Sequence, residues 1–222
     1  MPEIMNWVVA MSVLKSVVLS AALIIGATAV HAESYEKDVF RNQTLGIELP
    51  KPDGWRYVSA AEAYEEAQIM EEMGYKGAIA SFQIPLVSML KVGERPDELT
   101  PSLKVYALPY GPGCSIGCFD HARVLAAVLK AHRDSAHAFE LVTEPVEVMV
   151  SGASASYGSY KHAMMSASGE MLDAQASVWV IPSDHYFLLA AGAATAASKA
   201  GTVADVERIV SAIKIRRAED VQ

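Results

Sequence analysis

The stretch "VMVSGASASYGSY", residues 148–160, decides how the chain folds. In the run that leads into it, Val146, Val148 and Val150 fall on every second residue, the period that turns apolar side chains to one face of a strand. The run stops at a Ser-Gly pair, which punctuates a turn, and resumes at once with small residues and tyrosines. Strands joined by so short a connection pair antiparallel, because a parallel return needs a crossover of about a dozen residues or more.

Downstream, "AQASVWVIP" and "HYFLLAAGA" read as two more strands around the turn "PSDH". The closing "TVADVERIVSAIKI" then places Val203, Val206, Ile209, Val210 and Ile213 at helical spacing behind a capping Thr202. Upstream, "FDHARVLAAVLKAHRDS" carries Val124, Leu125, Val128 and Leu129 on one stripe, with Arg123, Lys130 and Arg133 opposite, which predicts a helix over residues 119–134. "YKGAIASFQIP" and "SLKVYALPY" read as strands separated by the polar loop "KVGERPDELTP". Ser59 and Glu62 form a capping-box signature for a helix that ends at Gly74. Its carboxylates, Glu62, Glu65, Glu66, Glu71 and Glu72, read as a solvated face. Before it, residues 34–44 read as a polar lead-in, and "LGIELPKPDGWRYVSA" as strand, turn, strand. Amphipathic helices must bury their stripes on the sheet, so the expected class is α+β: an antiparallel sheet with helices packed on its faces.

Three stretches together resemble the PsbP-like family: "LGIELPKPDGW", "VMVSGASASYGSY" and "VERIVSAIKI", in that order across residues 45–215. The resemblance implies an α-β-α sandwich around an antiparallel sheet. It also implies a non-enzymatic binding or assembly role, similar to DcrB-type proteins of the bacterial envelope. It carries no catalytic residues to this chain. The acidic helix and the cysteine-bearing loop before the second helix depart from the family's pattern.

The N-terminus reads as an address. Lys15 precedes the apolar run "SVVLSAALIIGATAV", and Val30 and Ala32 fit the small-residue positions of a secretory cleavage site before Glu33. Residues 1–32 are therefore expected to be a signal peptide and residues 33–222 a single domain, with either Met1 or Met11 as the start. Lysine within the apolar segment argues against an uncleaved membrane anchor, so no stable span is expected after cleavage. Cleavage removes one lysine and one glutamate and leaves the net charge at −8, which gives no electrostatic reason to bind nucleic acid. The expected location is periplasmic or secreted, and the expected partner an envelope protein or a small ligand.

The densest chemistry lies in "GPGCSIGCFDH", residues 111–121, which holds both cysteines of the chain, Cys114 and Cys118, followed by His121. In an oxidising compartment an even pair of nearby thiols forms a disulfide, here one that fixes the turn feeding the helix. Its loop is small, and the stabilisation on the order of 2 kcal/mol. The alternative is a periplasmic carrier that holds copper(I) or zinc through Cys114, Cys118 and His121. A redox dithiol is the third reading. The serine-rich "SGASASYGS" lacks the Gly-x-Ser-x-Gly elbow of a hydrolase, and no glycine loop has the phosphate-binding pattern. No catalytic residue and no cofactor are expected. His121 and His132 lie about 16 Å apart along a helix, too far to share an ion, and His132 reads as a core-edge histidine. His137, His162 and His185 show no ligand spacing with one another.

Overall fold

The computed structural model describes residues 34–36, 38–72, 84–92, 100–110, 120–165, 170–195 and 202–216. Eleven strands and three helices lie within them, and every strand pair is antiparallel. The strands are β1 (Ser34–Glu36), β2 (Val39–Asn42), β3 (Ile47–Pro50), β4 (Trp55–Tyr57), β5 (Val87–Lys91), β6 (Ser102–Pro109), β7 (His137–Val150), β8 (Ala153–Met165), β9 (Met171–Pro182), β10 (Tyr186–Thr195) and β11 (Lys214–Ile215). The helices are α1 (Ala60–Glu72), α2 (His121–Ser135) and α3 (Val203–Ser211).

The α+β class is as expected, but the strands form two sheets. The larger has seven strands in the order β4-β5-β6-β10-β9-β8-β7, and the smaller has four in the order β1-β2-β3-β11. The sequence reading provided for one sheet. Residues 34–44, read as a lead-in, contain β1 and β2, and the strand-turn-strand at residues 45–60 is divided between the sheets as β3 and β4. Strand β5 begins just after the segment expected to be a strand, residues 75–83 of which lie outside the described residues. Its run Val87, Ser88, Met89 is buried throughout, so it shows no alternation to read.

Alternation along the central strands sends side chains into two cores. On one face of the seven-stranded sheet, Trp179, Ile181, Leu188 and Ala190 pack with Val206, Ile209 and Val210 of α3 and with Phe40, Ile47, Leu49 and Ile215 of the small sheet. On the other face, Val178, Val180, Ala176 and Tyr160 pack with Leu125 and Leu129 of α2. The result is a sandwich of helix, sheet, and a third layer made of helix plus small sheet. Close approach sets its thickness: a Cβ on Gly192 would lie 2.1 Å from Cγ1 of Val206, so α3 sits directly on the β10 backbone.

Local chemistry fixes the element ends. Ser59 and Glu62 form the expected capping box at α1: the Glu62 backbone N–H donates to Ser59 Oγ (3.2 Å) and the Ser59 N–H to Glu62 Oε2 (2.8 Å). At α3 the Thr202 N–H donates to Asp205 Oδ2 at 3.1 Å. Asp120 caps α2, accepting from the N–H groups of Ala122 and Arg123. The hairpin between β7 and β8 turns on Ser151 (φ 52°) and Gly152 (φ 74°), with Val150 opposite Ala153. Positive φ at both central residues is a two-residue turn of the kind whose twist matches the flanking strands. Ser151 Oγ accepts from the Ile215 N–H at 2.9 Å, which ties this turn to the last strand of the small sheet.

Candidate functional site

Cys114 and Cys118 lie outside the described residues, and so does Phe119, the expected first residue of the second helix. The third member of that group, His121, opens α2 one residue after its Asp120 cap. Its Nδ1 lies 2.6 Å from Oγ of Ser156 on β8, which leaves Nε2 as the ring's other ligand atom. Among the described residues no three His, Cys, Asp or Glu side chains gather as a metal site. No described helix is long and apolar enough to cross a membrane.

The serine-rich stretch is a set of satisfied hydroxyls. Ser154 Oγ donates to Glu147 Oε1 at 2.6 Å, Ser156 pairs with His121, and Ser159 Oγ donates to Thr143 Oγ1 at 2.9 Å. Ser156, the one in contact with an imidazole, is 2% exposed, so its hydroxyl lacks the open approach that an external carbonyl would need. On the opposite face, Tyr157 Oη donates to Glu207 Oε1 of α3 at 2.8 Å and lies 3.3 Å from Ser177 Oγ. Burial is the main cause that raises the Tyr157 hydroxyl above its ordinary pKa.

One cluster escapes sequence spacing altogether. His132, near the end of α2, stacks on Tyr160 of β8 with ring centroids 5.2 Å apart. Phe139 of β7 stacks on the same tyrosine at 4.9 Å, and His162 of β8 tilts against it at 5.4 Å. The guanidinium of Arg133 lies over Phe139, 5.4 Å from its centroid. Burial lowers the pKa of His132, and burial together with the neighbouring His132 lowers that of His162. Tyr160 is pushed up to about 12 by burial. The core-edge reading of His132 holds, and residues 132 and 162 meet because the sheet register carries His162 under the helix. Thirty residues of sequence separation conceal that contact; the only local signal was the aromatic density of "SYGSYKH".

Among the described residues, the longest strand at a sheet edge is β7. Strand β7 has 14 residues and, among the described residues, pairs with β8 alone, at one end of the seven-stranded sheet; the other end is β4, with 3 residues. Val142, Val146 and Met149 on β7 are large apolar side chains exposed to solvent, Met149 at 67%. Exposed glutamates at positions 140, 144 and 147 separate them. Between Val146 and Val150 the ladder to β8 is regular; N-terminal to it the register shifts three times.

No protein-family model matches the chain, and no curated protein matches it by sequence. Solved structures do. LpqN of Mycobacterium tuberculosis, described as involved in cell envelope biogenesis, is 17% identical, with 76% of this chain and 82% of that one covered at a TM-score of 0.46. Cyanobacterial PsbP from Synechocystis sp. PCC 6803 is 15% identical, with 86% and 99% covered at 0.46. A protein of Bacteroides thetaiotaomicron is 10% identical, with 78% and 46% covered at 0.41. The α+β architecture itself, an antiparallel sheet with helices packed on its faces, is the class that the sequence predicts.

Proposed function

We propose that the chain is an exported accessory protein of a bacterial cell envelope that acts by binding a partner, not by catalysis. The observation that carries this reading is where the fold spends its side chains. Both faces of the large sheet are packed, the hydroxyls of the serine-rich hairpin bond within the fold, and among the described residues the edge strand β7 holds three of the seven large apolar side chains left to solvent. A surface of that kind recruits another chain; it does not enclose a substrate. Export supplies the setting: residues 1–32 act as the signal peptide, the mature chain begins at Glu33, and Cys114 and Cys118 are joined in the loop before α2.

Expression in a Gram-negative host with fractionation tests the export and the cysteine pairing. The expected product is a periplasmic chain whose mass begins at Glu33, with both thiols blocked until reduction. A cytoplasmic chain of full length, or one that binds copper or zinc stoichiometrically through its cysteines as isolated, would overturn them.

A further inference from the structure

We infer that β7 is a docking edge for an extended segment of another protein, one that alternates basic and apolar residues and adds to the seven-stranded sheet along residues 146–150. This rests on the binding role proposed above and specifies its surface and partner.

The two-residue turn at Ser151 and Gly152 fixes which backbone groups are available. Val150 and Ala153 flank it and exchange both of their hydrogen bonds, so the next pair, Met149 and Ser154, does not bond across the ladder. The same alternation holds at Glu147 and Ser156. The N–H and C=O groups of Met149 and Glu147 therefore point away from β8, into the space where an eighth strand would lie. Pro145, which has no N–H to offer, marks the natural end of such a ladder.

Side chains specify the occupant. Val146, Val148 and Val150 face the side of the sheet that α3 covers, whereas Glu147 and Met149 face the side of α2. A strand laid beside them meets valines on one face and a carboxylate on the other, with Glu144 at the end of the segment. Opposite charge is favourable at directly facing positions and like charge is not. The complement is apolar residues toward Val146 and Val148 alternating with lysine or arginine toward Glu147. A second copy of β7 is a poor occupant, since its three glutamates and lack of lysine or arginine would bring carboxylates together. Lys161 lies opposite Glu140 on β8, whereas Ser156 lies opposite Glu147, so no basic residue faces that carboxylate across the ladder.

The test is binding of a labelled hexapeptide of alternating valine and lysine to the mature chain, read by fluorescence anisotropy. Three comparisons decide it: the valine-glutamate peptide, the valine-lysine peptide with alternate amides N-methylated, and the variants Glu144→Lys/Glu147→Lys, Met149→Pro and Glu65→Lys/Glu72→Lys. Expected is binding of the valine-lysine peptide alone, weakened at least tenfold by the first two variants and less than twofold by the last. Methylated peptide that binds equally well, or an equal loss with the α1 variant, would show attraction to overall negative charge and overturn the edge. Since proline at position 149 sits one residue from the hairpin turn, circular dichroism checks the fold of that variant, and the charge pair stands independently of it. Capture from envelope extract separates the two claims: partners retained equally by wild type and Glu144→Lys/Glu147→Lys refute the edge and keep the binding role, whereas a wild type that captures nothing refutes the role.

Discussion

Two positions constrain their residues in opposite ways, one by backbone angle and one by space. Ala138 has a φ of 54°, at the first of the register shifts in β7, and its side chain is exposed. An alanine in the left-handed region costs about 1–2 kcal/mol, and glycine there gives back part of that gain through the freedom it adds to the unfolded chain. Ala138→Gly is expected to raise stability by up to about 1 kcal/mol, read as a higher midpoint in urea. Gly192 is the reverse case: a single added methyl would overlap Val206 of α3 and lie 3.0 Å from the Ser102 carbonyl oxygen. Gly192→Ala should destabilise by about 1–3 kcal/mol, and Gly192→Ala/Val206→Ala should recover part of it. A Gly192→Ala protein as stable as the wild type would mean that α3 can stand off the sheet. Neither strain was legible in the sequence, because a φ angle and a helix-to-strand distance are set by residues far along the chain.

Elements divide between those that announce themselves and those that depend on others. The caps at Ser59 and Thr202 and the stripe of α2 were legible because each is a pattern within one or two turns. Strands β1, β2 and β5 were not: they are short or buried on successive residues, and only pairing makes them strands. The same dependence governs the contact of α2 with β7 and β8. His132 and His162 are both held below the ordinary histidine value of 6.5, mainly by burial. Between that value and their folded ones, the unfolded chain binds more protons than the folded chain, so stability rises with pH there. Their contribution is complete above about pH 6.5 and is lost as the pH falls through the folded values. His132→Phe keeps a ring on Tyr160 and removes the proton. The wild type is expected to lose more of its melting temperature than this variant between pH 7.5 and pH 5; equal losses would remove His132 from the acid response.

At the scale of the whole molecule, the class was legible and the division into two sheets was not, since strand order leaves no mark on any single stretch. What joins the sheets is equally non-local. Ser151 Oγ, in the tightest turn of the large sheet, holds the Ile215 N–H of the small one. Ser151→Ala removes that acceptor and is expected to cost about 1–2 kcal/mol, with hydrogen exchange accelerated at Ile215 and unchanged at the centre of β9. The small sheet itself pairs Ile47 with Ile215, 168 residues further along the sequence. A polypeptide that emerges N-terminus first, from a ribosome or through a translocation pore, must release nearly its whole length before β3 meets β11. Until then the first three strands remain without the neighbour that completes their sheet. The fold therefore carries its own delay: the small sheet closes only when its last-made strand becomes available.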